Sequence, residues 1–178
     1  MNLESLTLQA ANIEDIPSAV EMLETAARWL HSKGIQQWES PLPASFLNFM
    51  KDEAQAGRVF LVRAGEGNEP IATFRITYHD KQRWQDNGTD CALYVYSLAL
   101  RNDLHGAGIG AHIIETIKKR AIQEQRRWLR LDCWSLNSWL KQYYASLGFT
   151  EAGNIKDNGF PLTLFQVHLA SGNRPSLD

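Results

Sequence analysis

From Ser5 to Ala11, Leu6, Leu8 and Ala10 alternate with Thr7 and Gln9, which is the period of a half-buried strand. Asn12 then stands as a helix N-cap, and Asp15 is spaced to close a capping box with it. Ile16, Val20, Leu23, Ala27 and Leu30 recur at helical spacing and predict a helix that stops at Gly34. A second helix is expected from Pro43 or Ala44 to Ala56, ended by Gly57.

Arg58–Ala64 and Ile71–Tyr78 are β-rich runs joined by Gly65-Glu66-Gly67-Asn68-Glu69-Pro70, the pattern of a hairpin. The polar stretch His79–Asp90 reads as a loop. Ala92–Leu100 is apolar on both faces, interrupted only by Ser97, and therefore belongs in the middle of a sheet. Ile109, Ile113, Ile114, Ile117 and Ala121 mark one face of a helix, and Trp128–Trp134 returns as a strand. Strand, helix and strand make a right-handed crossover with parallel strands. A short helix from about Ser138 to Leu147 ends at Gly148, and strands near Phe149–Asn154 and Leu162–Leu169 close the chain.

The length, 178 residues, favours a single domain over 1–178, large enough for a core that needs no metal or disulfide staple. A net charge of −2 lacks the electrostatic footprint of a nucleic-acid binder. The N-terminus has no basic residue before Arg28, and the longest apolar run is too short to cross a bilayer, so neither export nor membrane insertion is expected. Cys91 and Cys133 fall in no metal-binding spacing and read as small core residues of a protein in a reducing, cytoplasmic compartment.

The densest chemical signal is His105-Gly106-Ala107-Gly108-Ile109-Gly110-Ala111, with Gly at three alternate positions where a helix begins. Amides without flanking side chains, at a helix N-terminus, suit an anion such as the phosphates of a cofactor. The plainer reading is a tight turn in which Gly relieves crowding. A mononucleotide P-loop would need Gly-Lys-Ser/Thr, and Gly110-Ala111-His112 fails that test. The dinucleotide fingerprint does match Gly106, Gly108 and Ala111, with Asp132 spaced as a ribose-binding acid. Against it, Arg101–His105 intervene between strand and first Gly, and one further crossover unit is too few for a doubly wound sheet.

A third loop fits better. Tyr96-Ser97-Leu98-Ala99-Leu100 followed by His105–Gly110 resembles the central strand and the Gln/Arg-x-x-Gly-x-Gly/Ala loop of the GNAT superfamily of N-acetyltransferases. Leu131-Asp132-Cys133-Trp134, then Asn137 and Tyr143-Tyr144-Ala145-Ser146-Leu147-Gly148-Phe149, is similar to that family's second signature, an Asn after a strand and then Tyr-x-x-x-Gly-Phe. The two signatures stand in the family's order, and the likeness covers nearly the whole chain. The segment Trp29–Pro43 is the least informative.

The resemblance implies an α/β acyl-CoA N-acyltransferase fold. Its mixed, mostly antiparallel sheet has about seven strands, a splayed parallel pair and helices on both faces. It implies acetyl-CoA as co-substrate, pantetheine on the main chain of Leu98 and Leu100, and pyrophosphate on the amides of Gly106, Ala107, Gly108, Ile109, Gly110 and Ala111. Asn137 matches a residue that contacts the pantetheine arm, although it is also a fitting helix cap. His105 departs from the family's Gln or Arg, and a neutral imidazole brings no fixed charge to a pyrophosphate. Backbone amides or Arg101 then carry more of that binding.

Tyr144 matches the phenol that protonates the departing CoA thiolate, yet Leu140, Tyr143, Tyr144 and Leu147 also have the spacing of a core stripe. Glu39, Asp80 and Asp90 border loops where a base acting through water is expected, and each reads equally as a solvated charge; no base is assigned. Trp29 is expected in the core, whereas Trp38 and Trp84 are candidates to line an acceptor site. The implied activity is acetyl transfer to an amine, small molecule or peptide, by direct attack in a ternary complex, with no metal, nucleic acid or membrane partner and with homodimers as the family habit. The alternatives are a non-catalytic acyl-CoA-binding domain of the same fold and a dinucleotide-binding oxidoreductase.

Overall fold

The computed structural model describes residues 6–65 and 69–169. Ser5 and the turn residues Glu66, Gly67 and Asn68 lie outside them. Among the described residues, seven strands form one sheet: β1 (Leu6–Ala10), β2 (Val59–Ala64), β3 (Pro70–Thr77), β4 (Ala92–Leu100), β5 (Trp128–Trp134), β6 (Thr150–Asp157) and β7 (Phe160–His168), in the order β1-β2-β3-β4-β5-β7-β6. The helices are α1 (Ile16–Ser32), α2 (Phe46–Gln55), α3 (Lys81–Trp84), α4 (Ile109–Gln123) and α5 (Ser138–Ser146). The pairs β1/β2, β2/β3, β5/β7 and β6/β7 are antiparallel, and β4/β5 is parallel. This is the mixed, mostly antiparallel α/β sheet that the sequence predicted. Contacts divide the chain into two compact units, Met1–Ile76 with Val95–His112, and Thr77–Tyr94 with Ile113–Asp178.

In the first unit, α1 begins where the Asp15 carboxylate accepts the Asn12 N–H at 2.9 Å, the expected capping interaction. The helix ends because Gly34 turns left-handed (φ 74°), which lets the Ile35 N–H reach back to the Leu30 carbonyl at 3.0 Å. Its buried stripe, Ile16, Ala19, Leu23 and Ala26, packs with Met50 and Ala54 of α2, Val59 and Leu61 of β2 and Ala99 of β4. Each large apolar side chain removed from water there contributes about 1.5–3 kcal/mol. Trp29 is not part of this stripe: it is 37% exposed, because it projects to one side of the helix face that carries Leu23 and Ala26. That corrects the core assignment.

In the second unit β5 is registered antiparallel with β7 from Trp128↔His168 to Trp134↔Leu162, and β6 pairs with the outer side of β7. Cys133 is buried on β5, but Cys91 is exposed, held at φ 51° in the residue before β4, so only one of the two cysteines is the core residue expected. The supposed loop 79–90 contains α3, capped by the Asp80 carboxylate, which accepts the Arg83 N–H at 2.8 Å. Among the described residues, no helix is long and apolar enough to cross a membrane.

Candidate active site

In the first unit, β4 runs into the glycine loop and then α4. Gly106 and Gly108 both sit at positive φ, 82° and 74°, conformations that a side chain resists. A Cβ built on either would meet nothing within 4 Å. Crowding is therefore not the reason for these glycines; the backbone turn is, and it leaves open space beside them. The first bond into α4 runs from the His112 N–H to the Gly108 carbonyl at 3.1 Å. Among the described residues, the N–H groups of Gly106, Ala107, Gly108, Ile109, Gly110 and Ala111 have no backbone acceptor. Unpaired donors at a helix N-terminus, where the helix dipole is positive, fit a diphosphate.

The strand leading there is distorted in its middle. Ser97 has φ 52°, a left-handed conformation rare for a strand residue, and after five buried residues, Ala92–Tyr96, both Ser97 and Leu98 are half-buried. Parallel pairing with β5 is registered at Ala92↔Trp128, Leu93↔Leu129 and Tyr94↔Arg130. Leu98 and Leu100 lie on the later part of β4, half-buried. The sequence signal for the distortion is the single polar residue in an apolar run.

In the second unit, Asn137 is 4% exposed and caps α5, its Oδ1 accepting the Leu140 N–H at 3.0 Å. The capping role is thus realised, and the amide NH2 is left to another partner. Tyr144 is the one buried residue of α5, while Leu140, Tyr143 and Leu147 are only half-buried. Its ring lies 5.9 Å from that of Phe149 and 5.6 Å from that of Phe165. Among the described residues its hydroxyl has no hydrogen-bond partner. Burial, and then the neighbouring Cys133 and Asp132, push the phenol well above the ordinary tyrosine range, so it is protonated throughout neutral pH.

Most of the other sequence candidates find structural partners. His105 is exposed and meets the Trp29 ring edge to face at 4.8 Å. Arg101 is gripped by Asp103 through two bonds of 2.8 Å, with Glu69 at 3.9 Å. His31 Nε2 lies 2.7 Å from the Trp38 carbonyl, and Trp38 packs partly buried on the first unit's core. Trp84 packs on Tyr94 with Arg130 over its ring at 4.6 Å, so it is an internal wall of the second unit. Asp90 pairs with Arg130 at 2.6 Å, Asp80 caps α3, and Glu39 is exposed. Asp132, the would-be ribose ligand, is enclosed and paired with Arg83 at 2.8 Å, and burial raises its pKa despite that partner. Arg83 and Arg130 went unnoticed in the sequence, since nothing local marks which distant carboxylate an arginine will meet.

The chain is 24% identical to the uncharacterized N-acetyltransferase YesJ of Bacillus subtilis over 142 residues, 79% of each chain. Its fold matches an acetyltransferase of the GNAT family from Listeria monocytogenes with a TM-score of 0.75 and 24% identity, covering 92% of this chain and 95% of that one. It also matches yncA from Salmonella typhimurium, solved with its cofactor acetyl-CoA, with a TM-score of 0.66 and 16% identity over 98% and 99% of the two chains. Residues 21–149 match the acetyltransferase (GNAT) family itself. With that match spanning both the glycine loop and the Tyr-x-x-x-Gly-Phe turn, the chain belongs to the GNAT family of acetyltransferases.

Proposed function

We propose that this chain, acting as a single N-acetyltransferase domain in the cytoplasm, transfers the acetyl group of acetyl-CoA to a primary amine by direct attack in a ternary complex. The observation that carries the reading is the run of six backbone N–H groups, Gly106 to Ala111, at the start of α4, without a backbone acceptor among the described residues. Those amides would hold the pyrophosphate, with His105 beside them, and the main chain of Leu98 and Leu100 with the Asn137 amide would hold the pantetheine arm. The amine nitrogen forms its bond to the acetyl carbon as the carbon–sulfur bond breaks. The amine gives up a proton to water, the leaving thiolate takes one from the Tyr144 phenol, and the phenolate is reprotonated from water, so the proton count closes.

A thiol has an ordinary pKa near 8.5, below that of a buried phenol, so Tyr144 serves through geometry rather than acidity. Its hydroxyl, with no partner among the described residues, is available to the sulfur.

Two measurements test this. Acetyl-CoA and CoA each raise the melting temperature by several degrees at a hundredfold excess over Kd, about 2.7 kcal/mol of stabilisation, whereas NAD, NADP and ATP do not. Free thiol is then released from acetyl-CoA with at least one amine of a panel of spermidine, kanamycin, lysine and an alanine-initiated peptide. A shift with NAD and none with CoA overturns the reading, and a CoA shift without thiol release from any of the four amines counts against catalysis.

A further inference from the structure

Lys118 of α4 is a nearly enclosed lysine, its side chain 14% exposed, and its ammonium is directed at the end of α5. Nζ donates to the Leu147 carbonyl at 2.7 Å and to Glu115 Oε1 at 2.6 Å, and it stands 5.4 Å from the centre of the Phe149 ring. Leu147 is the C-cap of α5, so its carbonyl is one of those a helix end leaves without an internal partner. Two residues on, the Phe149 N–H donates to the Tyr144 carbonyl at 3.1 Å, and the two rings are in contact. Lys118 thus grips both sides of Gly148, and each side leads directly to Tyr144.

Capping alone does not require this arrangement. Water serves an exposed helix end, while ordering a lysine side chain costs rotamer freedom. What the lysine adds is a fixed direction for the Leu147–Phe149 turn.

We propose that Lys118 is a positioning residue for acetyl transfer: by clamping the Leu147 carbonyl and the Phe149 ring it sets where the Tyr144 hydroxyl stands. The proposal rests on Tyr144 being the acid, and the test separates the two. Lys118→Met, Lys118→Arg, Tyr144→Phe and the double variant Lys118→Met/Tyr144→Phe are compared in CoA release from acetyl-CoA with whichever amine of the panel turns over. Misplacing an acid by a fraction of an ångström costs about tenfold, so Lys118→Met lowers kcat by about that factor, with the KM for acetyl-CoA and the shape of the pH profile kept. Lys118→Arg, which keeps a donor for the carbonyl and a cation for the ring, recovers most of the rate. In the Tyr144→Phe background Lys118→Met has no further effect, because the group it places is gone. Multiplied losses in the double variant, or an unchanged kcat in a folded Lys118→Met, overturn the proposal for Lys118. Normal turnover by Tyr144→Phe overturns the acid assignment itself, and the proposal with it. If Lys118→Met does not fold, Lys118→Gln takes its place, and the same comparison against Tyr144→Phe decides.

Discussion

Two glycines in the first unit share a backbone conformation and differ in what the chemistry asks of them. Gly108 has φ +74° and Gly57, which ends the turn after α2, has φ +68°; a Cβ on either meets nothing within 4 Å. Replacing either by Ala therefore adds no clash and costs only the left-handed penalty of an L-residue, about 1–2 kcal/mol, partly offset by a stiffer unfolded chain. The net is about 1 kcal/mol, and in a protein of this size the melting temperature falls by roughly 2–4 °C in both variants. Binding separates them. At Gly108 the new methyl stands in the open space beside amides expected to meet a diphosphate, and losing one charge-assisted hydrogen bond is worth about 1.5–3 kcal/mol. The Kd for CoA in titration calorimetry should then rise at least about tenfold in Gly108→Ala and stay at the wild-type value in Gly57→Ala. Wild-type affinity in Gly108→Ala, or an equal loss in Gly57→Ala, refutes the argument and leaves the loop a simple turn.

Tyr144→Phe removes a hydroxyl that has no partner among the described residues, so folding and acetyl-CoA binding are kept while kcat falls about 10²-fold; Tyr143→Phe is the control, read by steady-state thiol release. The two cysteines should differ in reactivity: burial pushes the Cys133 thiol up to about 12, so at pH 8 a thiol reagent labels Cys91 alone in the native protein and both residues in denaturant, and two native equivalents contradict the buried placement. Glu53 is 8% exposed, and although burial works against its charge, the bonds from Arg58 and Arg75 win and hold its carboxyl below the ordinary 4.5. A lowered folded-state pKa means stability that is present above the unfolded pKa and lost as pH falls through the folded one. Glu53→Gln should accordingly lower the unfolding free energy at pH 7 by about 2 kcal/mol with the exposed Arg58 discounted, and the gap to wild type should close as pH falls below about 4; a gap independent of pH contradicts this.

Elements whose signal is local were legible in the chain. The spacing of Ile16, Leu23 and Ala27, the turns at Gly34 and Gly57, the apolar run Ala92–Tyr96 and the crossover through α4 recur in the structure close to where periodicity and turn residues put them. The glycine loop was legible for the same reason, since three glycines at a strand-to-helix junction restrict the backbone before any tertiary contact forms. The left-handed backbone at Ser97 showed only as a polar residue in an apolar run, and α3 did not show, because four residues are too few for a period. What no pattern carried was side-chain partnership across the chain. β7 inserts between β5 and β6, Asp132 meets Arg83 and Asp90 meets Arg130 across separations of about 40–50 residues, and Lys118 reaches Leu147 from 29 residues away. These pairings made the candidate base Asp90 and the candidate ribose ligand Asp132 ion-paired structural groups, while Trp29 and Cys91 stand outside the core. A residue's spacing fixes which face of its element it occupies, but the neighbour on that face comes from another part of the chain, and only burial against that neighbour sets its charge, its exposure and its role.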